Sequence, residues 1–167
     1  MTIRRATSAD IANVVKLVNA AYRGEGGEVG WTHEGHLISG PRTKEAEIAE
    51  LLQGSGIILA GWDGKKLVGC VYLEKEGNRL YLGLLSVWPS RQGKGIGKQL
   101  MVAAASFARR QNCMAIRITV ISARGELLAW YERHGFRRTG EIEPFHAGDK
   151  FGTQKQRLEL VVLERAV

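Results

Sequence analysis

Four segments of the chain place apolar residues three and four positions apart, which is the spacing of an amphipathic helix. In the first segment Ile11, Val14, Val15 and Val18 share one face, and Ser8 offers an N-cap. The predicted helices are "SADIANVVKLVNAAY" (8–22), "KEAEIAELLQ" (44–53), a segment from about Gly97 to about Arg110, and "RGELLAWYERHG" (124–135).

Seven other segments are rich in β-branched and apolar residues and are bounded by turn residues, which is typical of strands. They are "TIRRAT" (2–7), "GIILAGW" (56–62), "KLVGCVYLEKEG" (66–77), "RLYLGLLSVW" (79–88), "MAIRITVIS" (114–122), "FRRTGEIEPF" (136–145) and "QRLELVVLERAV" (156–167). The turn "DGK" (63–65) joins the second and third of them as a hairpin.

The order of these elements is β-α-α-β-β-β-α-β-α-β-β, in one domain that spans residues 1–167. Strands that follow one another directly come first, and two strand-helix-strand crossovers come after them. This order predicts an α/β (α+β) fold with a mixed central sheet of about six to seven strands and helices on both faces. Residues 23–43 are rich in glycine and have no clear period, so we expect a long loop there, and such loops are often functional.

Composition narrows the class of protein. The chain has 167 residues, of which 44% are hydrophobic and 25% charged, as in globular proteins. No apolar run approaches the roughly 20 residues that cross a bilayer, and "MTIRRATSAD" lacks the apolar stretch of a signal peptide. Cys70 and Cys113 lie in apolar stretches and fit neither a Cys-x-x-Cys motif nor a disulfide framework. We therefore expect a cytoplasmic protein with two buried, reduced thiols and no membrane partner.

The chain is basic, with 24 Lys and Arg against 17 Asp and Glu and a net charge of +7. An excess of this kind suits a polyanionic ligand, of which a nucleic acid is one candidate, or it is a solvated basic surface. The sequence has neither zinc-finger spacing nor an aromatic RNA-binding signature. A nucleic acid partner is therefore not expected.

The segment "RQGKGIGKQLM" (91–101) packs three glycines into five positions just before a predicted helix. It matches neither the dinucleotide-binding Gly-x-Gly-x-x-Gly nor a P-loop, because Gln99 stands where a P-loop needs Ser or Thr. Without a Cβ, Gly93, Gly95 and Gly97 let successive N–H groups approach an anion, and the helix N-terminus adds its dipole. Three side chains add positive charge: Arg91, Lys94 and Lys98. The segment therefore predicts a metal-free pyrophosphate site; the alternative is a plain tight turn.

Two motifs together resemble one family. Gln92-x-x-Gly95-x-Gly97, after a strand that ends "LLSVWP", resembles the acetyl-CoA-binding motif Gln/Arg-x-x-Gly-x-Gly/Ala of the GCN5-related N-acetyltransferases, the GNAT family. "WYERHGF" (130–136) is similar to the second family motif, a tyrosine on a helix followed by Gly-Phe. The separation of the motifs and the element order match along nearly the whole chain. The resemblance implies a mostly antiparallel GNAT-like sheet, acetyl-CoA as the cofactor and CoA as the product.

The resemblance also implies which residues hold the cofactor. In the family the strand before the loop splays from the next parallel strand, so backbone groups of Leu85, Ser86 and Val87 would face the acyl carbonyl and the pantetheine arm. Backbone amides would cradle the pyrophosphate: those of Gln92, Gly93, Lys94, Gly95, Ile96, Gly97 and Lys98. Arg124 stands where many members have an asparagine that bonds the pantetheine, and its side chain would bond the same carbonyls or a phosphate.

Tyr131 matches the family tyrosine, which is often the general acid that protonates the departing CoA thiolate. A phenol with a pKa near 10 is protonated at neutral pH and can donate; the alternative is a tyrosine packed by its ring. The implied reaction is direct transfer, in which a neutral amine attacks the thioester and a backbone N–H near Val87 stabilises the oxyanion. A cysteine nucleophile is not expected, because neither cysteine has a base near it in sequence.

The acceptor amine must lose a proton to a base, and the strand from Arg79 to Val87 carries no acidic residue. The family places its acceptor against the region of the 23–43 loop, and Glu34 in this loop is the predicted base; the alternative is a solvated carboxylate. The loop's other candidates are Glu25, Glu28, His33 and His36. Predicted acceptor-binding residues are Trp31, Thr32, His33 and His36, and candidates near the last hairpin are Glu141, Glu143 and His146.

The leading hypothesis is an acetyl-CoA-dependent N-acetyltransferase that acts by direct transfer on a primary amine of a small molecule or an amino-acid-like acceptor. A variant of this hypothesis is an enzyme that acetylates protein lysines or N-termini. It stays open because the loop length favours an enclosed site, and so a small-molecule acceptor, only weakly. A second hypothesis is a non-catalytic CoA-binding sensor, which has no need of the Tyr131 acid. A third is a basic nucleic-acid-binding domain, which leaves the glycine loop without a role. The acceptor is not identified, and the homodimer that the family often forms stays open.

Overall fold

The structure, a computed structural model, describes residues 1–24, 34–35, 37–145, 153–154 and 158–167. The α-helices are α1 (Ile11–Arg23), α2 (Glu45–Gln53), α3 (Ile96–Arg110) and α4 (Gly125–Arg133). The strands are β1 (Thr2–Arg5), β2 (Ile38–Ser39), β3 (Ile57–Asp63), β4 (Lys66–Glu76), β5 (Arg79–Val87), β6 (Ala115–Ile121), β7 (Arg137–Pro144), β8 (Thr153–Gln154) and β9 (Glu159–Ala166).

Seven of the strands form the central sheet in the order β1-β3-β4-β5-β6-β9-β7. Every neighbouring pair is antiparallel except β5 and β6, which run parallel. The α3 crossover joins these two strands, because parallel neighbours need a long crossover connection instead of a tight hairpin. The predicted order and the mostly antiparallel mixed sheet are confirmed.

Two short strands differ from the prediction. β2 lies inside the predicted loop 23–43 and pairs antiparallel with β8, with Ile38 opposite Gln154 and Ser39 opposite Thr153. Strands of two residues are too short to show a period of two, and the partners lie far apart in the chain. A loop without regular structure is therefore the wrong prediction at Ile38–Ser39.

Two helix starts also differ from the prediction. Ser8 is not an N-cap but the first residue of a 3₁₀ turn whose N-cap is Thr7. The Thr7 backbone N–H donates to Asp10 Oδ2 at 2.8 Å, so a carboxylate three residues later caps the turn. α3 begins at Ile96 rather than Gly97, because Gly95 already takes the N-cap position with a φ of 79°.

Hydrophobic clusters lie on both faces of the sheet, which confirms the predicted helix placement. Leu100 and Met101 of α3 belong to one cluster, and Leu17 of α1 with Ile48 of α2 belongs to the other. Leu100, Leu17 and Ile48 are fully buried. Burial of each such side chain contributes about 1.5–3 kcal/mol.

Both cysteines are buried and unpaired. Burial raises the pKa of the Cys70 thiol to about 12, so this group stays protonated and unreactive at neutral pH. A cysteine nucleophile has no support in this environment. In the part of the chain that the structure describes, none of the helices has the length and apolar character needed to cross a membrane.

Candidate active site

The parallel strands β5 and β6 separate soon after they begin. Their register covers only Arg79–Tyr81 of β5, opposite Ala115–Arg117 of β6. β5 continues to Val87, so its second half does not pair with β6 within the described residues. This is the splay that the resemblance implies.

The splayed half of β5 also carries a bulge. The register against β4 shifts between Cys70 and Tyr72, whose partners are Ser86 and Gly83. Leu84 lies in the shifted stretch with a φ of 52°, in the left-handed region that leucine rarely adopts. Backbone in such a conformation costs on the order of 1–3 kcal/mol and is often found at functional sites.

Side chains hold the carbonyl groups of this bulged stretch. The Tyr22 hydroxyl, near the end of α1, donates to the Leu85 carbonyl oxygen at 3.0 Å. The buried Ser86 hydroxyl donates to the Leu84 carbonyl oxygen at 2.9 Å. Burial raises the pKa of Tyr22 above its ordinary value, so the phenol keeps the proton that it donates. The bulge is thus fixed from α1 and from its own strand.

The glycine loop has an open backbone. φ is 80° at Gly93 and 79° at Gly95, which glycine adopts without steric cost. No described atom lies within 4 Å of the Cβ that either position would carry. A Cβ on Gly97 would meet only Val87 Cγ2, at an ordinary 4.0 Å. Packing within the protein therefore does not require a glycine at position 97, and a ligand close to the backbone would explain it.

Polar and charged groups surround the loop. Gln92 Nε2 donates to the Val87 carbonyl oxygen at 3.1 Å and ties the start of the loop to the end of β5. The first-turn N–H groups of α3 present the positive end of the helix dipole here, and Lys98 borders the same space. Arg91 is paired with Asp63 at 2.7 Å, so its charge is partly compensated.

One cavity of about 550 Å³ connects the loop, the splayed strand and α4. The predicted site residues that line it are Leu85, Val87, Gln92, Gly93, Gly95, Ile96, Gly97, Lys98 and Tyr131. Ser86, Lys94 and Arg124 do not border the described part of this cavity. The Arg124 side chain is instead buried, with 3% of its surface exposed.

One face of α4 and its C-cap form a wall of the cavity. Leu127, Trp130, Tyr131 and His134 all line it, and they are three and four positions apart. The rings of Trp130 and His134 stack with 4.0 Å between centroids. Sequence reasoning missed Leu127 and His134, although their spacing from Tyr131 was a signal. It also gave Tyr22 no role in the site, although Tyr22 lines the cavity too.

Tyr131 combines a packed ring with a protonated hydroxyl. Its ring makes edge contacts with Trp130 and Phe136, at centroid distances of 5.0 and 5.4 Å. Burial raises its pKa above the ordinary value of 10.0, and Tyr22 and Tyr81 raise it further. Among the described residues the hydroxyl has no hydrogen-bond partner. The group therefore holds its proton beside the cavity, as a general acid must before it donates.

Glu34, the predicted base, is buried in an ion network. Arg23 Nη2 lies 3.2 Å from Glu34 Oε1, and Arg124 Nη1 lies 3.6 Å from Oε2. The Glu34 backbone N–H donates to the Tyr22 carbonyl oxygen at 2.7 Å. Glu34 is thus not a solvated loop carboxylate, since only 4% of the residue is exposed. Both carboxylate oxygens already face a guanidinium group, and the role of Glu34 as the base stays a prediction.

The other predicted acceptor residues are not brought together by the described part of the chain. Those that lie outside the described residues are Glu25, Glu28, Trp31, Thr32, His33, His36 and His146. Glu143 is ion-paired with Arg117, and Glu141 is exposed.

Comparison with known proteins agrees with this geometry. Residues 36–148 match the family model of the acetyltransferase (GNAT) domain. This match covers more than half of the chain, so the protein belongs to the GNAT family and is an acyltransferase. No match was found among curated protein sequences.

Solved structures share the fold over nearly the whole chain. Ard1 from Thermoplasma volcanium is 20% identical with a TM-score of 0.71, covering 99% of this chain and 97% of that one. The ribosomal-protein-alanine N-acetyltransferase from Brucella melitensis is 18% identical with a TM-score of 0.70 and full coverage of both chains, 100% and 100%. A spermidine N-acetyltransferase chimera from Vibrio cholerae and hSSAT is 16% identical with a TM-score of 0.70, covering 99% and 96%.

GNAT acetyltransferases generally use acetyl-CoA, and the site suits that molecule. The open backbone at Gly93 and Gly95, the N-terminus of α3 and Lys98 provide donors and positive charge for a pyrophosphate. The same cavity reaches from the loop to the splayed half of β5 at Leu85.

Proposed function

We propose that the protein is an acetyl-CoA-dependent N-acetyltransferase that transfers an acetyl group directly to a primary amine of a small molecule or an amino-acid-like acceptor. The observation that carries the proposal is the single cavity that joins the glycine loop, the splayed half of β5 and Tyr131. A plain tight turn, the alternative for the loop, explains neither the cavity beside it nor the unneeded glycine at position 97.

The residues that would hold acetyl-CoA follow from this cavity. Backbone amides from Gln92 to Lys98 would bind the pyrophosphate, and those of Leu85 and Val87 would face the acyl end. When bound, acetyl-CoA supplies an acetyl group activated as a thioester. Ser86 and Lys94 enter the proposal only through their backbone groups. Arg124 is proposed to hold Glu34 rather than the cofactor, because its side chain is buried and paired.

Tyr131 is proposed as the general acid. Its hydroxyl holds a proton at neutral pH because burial raises its pKa, and the residue borders the cavity. A sensor that only binds CoA needs no acid at this place. The acceptor is proposed to approach from the side of α1, where Trp31, Thr32, His33 and His36 follow the helix in sequence and Glu34 anchors the segment.

Turnover and ligand binding test the proposal together. The protein is incubated with acetyl-CoA and one of four amines: spermidine, a free amino acid, a peptide with N-terminal alanine, or an N-terminally blocked lysine peptide. Thiol release is followed with a chromogenic disulfide, and the product by mass spectrometry. We expect thiol release that depends on one of the amines. The assays with the two peptides decide whether the acceptor is a protein.

Melting temperature separates the competing hypotheses. CoA and acetyl-CoA at 100 times their dissociation constants should stabilise the fold by about 2.7 kcal/mol, and NAD or ATP should do little. Stabilisation by CoA without turnover of any amine would favour the sensor. No stabilisation by CoA or acetyl-CoA would contradict the cofactor itself.

A further inference from the structure

Three tyrosines near the bulge of β5 differ in what their hydroxyl groups contact. Tyr22 donates to the Leu85 carbonyl at 3.0 Å, and Tyr72 donates to Glu74 Oε2 at 2.9 Å. Tyr81 is half-buried, and within the described residues its hydroxyl has no hydrogen-bond partner. A phenol can both donate and accept a hydrogen bond. Of these three hydroxyl groups, only that of Tyr81 makes no hydrogen bond with the described residues.

Gly83 determines where this hydroxyl points. A Cβ on Gly83 would lie 2.8 Å from Tyr81 Oη, 3.0 Å from Cε1 and 3.1 Å from Cζ. The Tyr81 ring therefore lies along its own strand, over Gly83, and carries its hydroxyl toward the bulge that begins after that residue. An edge contact with Tyr72, at 6.3 Å between centroids, holds the other side of the ring.

The position of Tyr81 places it on the acceptor side. Tyr81 packs in the cluster formed with α1 and α2, on the face of the sheet opposite α3 and the glycine loop. It is also the last residue of β5 that pairs with β6, so its ring lies where the two strands begin to separate. Tyr81 does not border the described part of the cavity that holds the loop. Tyr81 shares its cluster with Tyr22 and Leu84, and Tyr22 donates to the Leu85 carbonyl oxygen, so Tyr81 lies beside the bulged stretch that would face the acyl group.

We propose that the Tyr81 hydroxyl binds the acceptor amine beside the acyl site, by accepting a hydrogen bond from the N–H group. The inference rests on the proposed acetyltransferase function and names a residue that receives its acceptor. Gly83 is part of the same arrangement, because the absence of a side chain at this position lets the Tyr81 ring lie over the strand.

Kinetics of Tyr81→Phe test this role. The acceptor is the one of the four amines named above that the wild type acetylates. Loss of one neutral hydrogen bond to the amine should raise the KM for the amine about three- to tenfold. The dissociation constant of CoA, measured by calorimetry, should not change. Tyr72→Phe is the matched control: it removes the same atom from the neighbouring ring, and its amine KM should stay within about twofold of wild type.

Gly83→Ala gives a second, independent variant. The new Cβ displaces the Tyr81 ring and should raise the amine KM while the hydroxyl is still present. In the double variant with Tyr81→Phe the two effects should not add, because both remove the same contact. Additive effects, an unchanged amine KM in Tyr81→Phe, or a weakened CoA affinity in that variant would each overturn the inference and leave the acetyltransferase assignment intact. A wild type that acetylates none of the four amines would overturn the inference through the function on which it rests.

Discussion

The hydroxyl of Tyr22 lies 3.0 Å from the carbonyl oxygen of Leu85, so the end of α1 is bonded to the bulged half of β5. The same end of the helix holds the segment before α2: Asn19 Oδ1 accepts from the backbone N–H groups of Arg42 and Thr43, at 2.7 and 3.0 Å. α1 therefore fixes both the strand that would face the acyl group and the end of the 23–43 loop. Rigid placement of this kind is what a transfer reaction between two bound molecules needs.

Tyr22→Phe should lower both stability and activity. It leaves the Leu85 carbonyl without its donor, which should cost about 1–3 kcal/mol of unfolding free energy, measured by urea denaturation. The kcat should fall as well, because the bulge loses its tie to α1. Tyr72→Phe removes a hydroxyl bonded to Glu74 at 2.9 Å and should leave kcat unchanged. Wild-type kcat in Tyr22→Phe would show that the bulge holds its shape without this bond.

Gly95→Ala should remove CoA binding while the protein stays folded. Its φ of 79° makes a side chain strained, by about 1–2 kcal/mol, and the Cβ would project into the space assigned to a phosphate. Gly64→Ala is the matched control, because Gly64 has a φ of 60° and equally open surroundings in the β3–β4 hairpin. Both variants should melt earlier to a similar extent, but only Gly95→Ala should lose at least tenfold in calorimetric CoA affinity. Equal CoA affinity in the two variants would contradict the assignment of the pyrophosphate to this loop.

Glu34→Gln should mainly destabilise the protein. The change leaves the buried guanidinium groups of Arg23 and Arg124 without their anion, and breaking a buried ion pair in this way costs about 3–5 kcal/mol. Glu50→Gln on the exposed face of α2 should change the unfolding free energy by less than about 0.5 kcal/mol. If Glu34→Gln instead kept its stability and lost kcat, the predicted role of Glu34 as the general base would be supported.

Features formed by residues close together in the chain could be predicted from the sequence, and features that join distant residues could not. The α3 and α4 periods and the Gln92 to Gly97 motif are local, so the element order and the open glycine loop before α3 could be predicted. The Glu34 network joins residues from three separate elements, and no spacing in the chain brings them together. The sequence therefore predicted Glu34 as a base, with a solvated carboxylate as the alternative, and only the fold shows it buried in an ion network. The bond from Tyr22 to Leu85 spans 63 positions and was hidden for the same reason.

Stability should fall above pH 10. Burial raises the pKa of Tyr22, Tyr72 and Tyr131 above 10.0 in the folded protein. Above the unfolded pKa the unfolded chain loses these protons while the folded protein keeps them, so each contribution is complete below pH 10 and is lost as pH rises further. Urea midpoints should therefore stay level from pH 8 to about 10 and decline toward pH 11, less steeply in Tyr131→Phe. A flat profile would mean that these phenols titrate alike in both states.

Tyr131→Phe tests the general acid directly. The change removes one oxygen and keeps the ring contacts with Trp130 and Phe136, so packing should barely alter. A group that acts only on the leaving thiolate should, when lost, lower kcat and kcat/KM together and leave CoA affinity almost unchanged. General acid catalysis contributes about 10²-fold or more, and we expect the low end because a thiolate is already a fair leaving group. Since burial raises the pKa of Tyr131 above 10.0, the loss should be the same at every pH from about 6 to 9. A rate within about twofold of wild type across that range would identify Tyr131 as a packing residue, with no part in proton transfer.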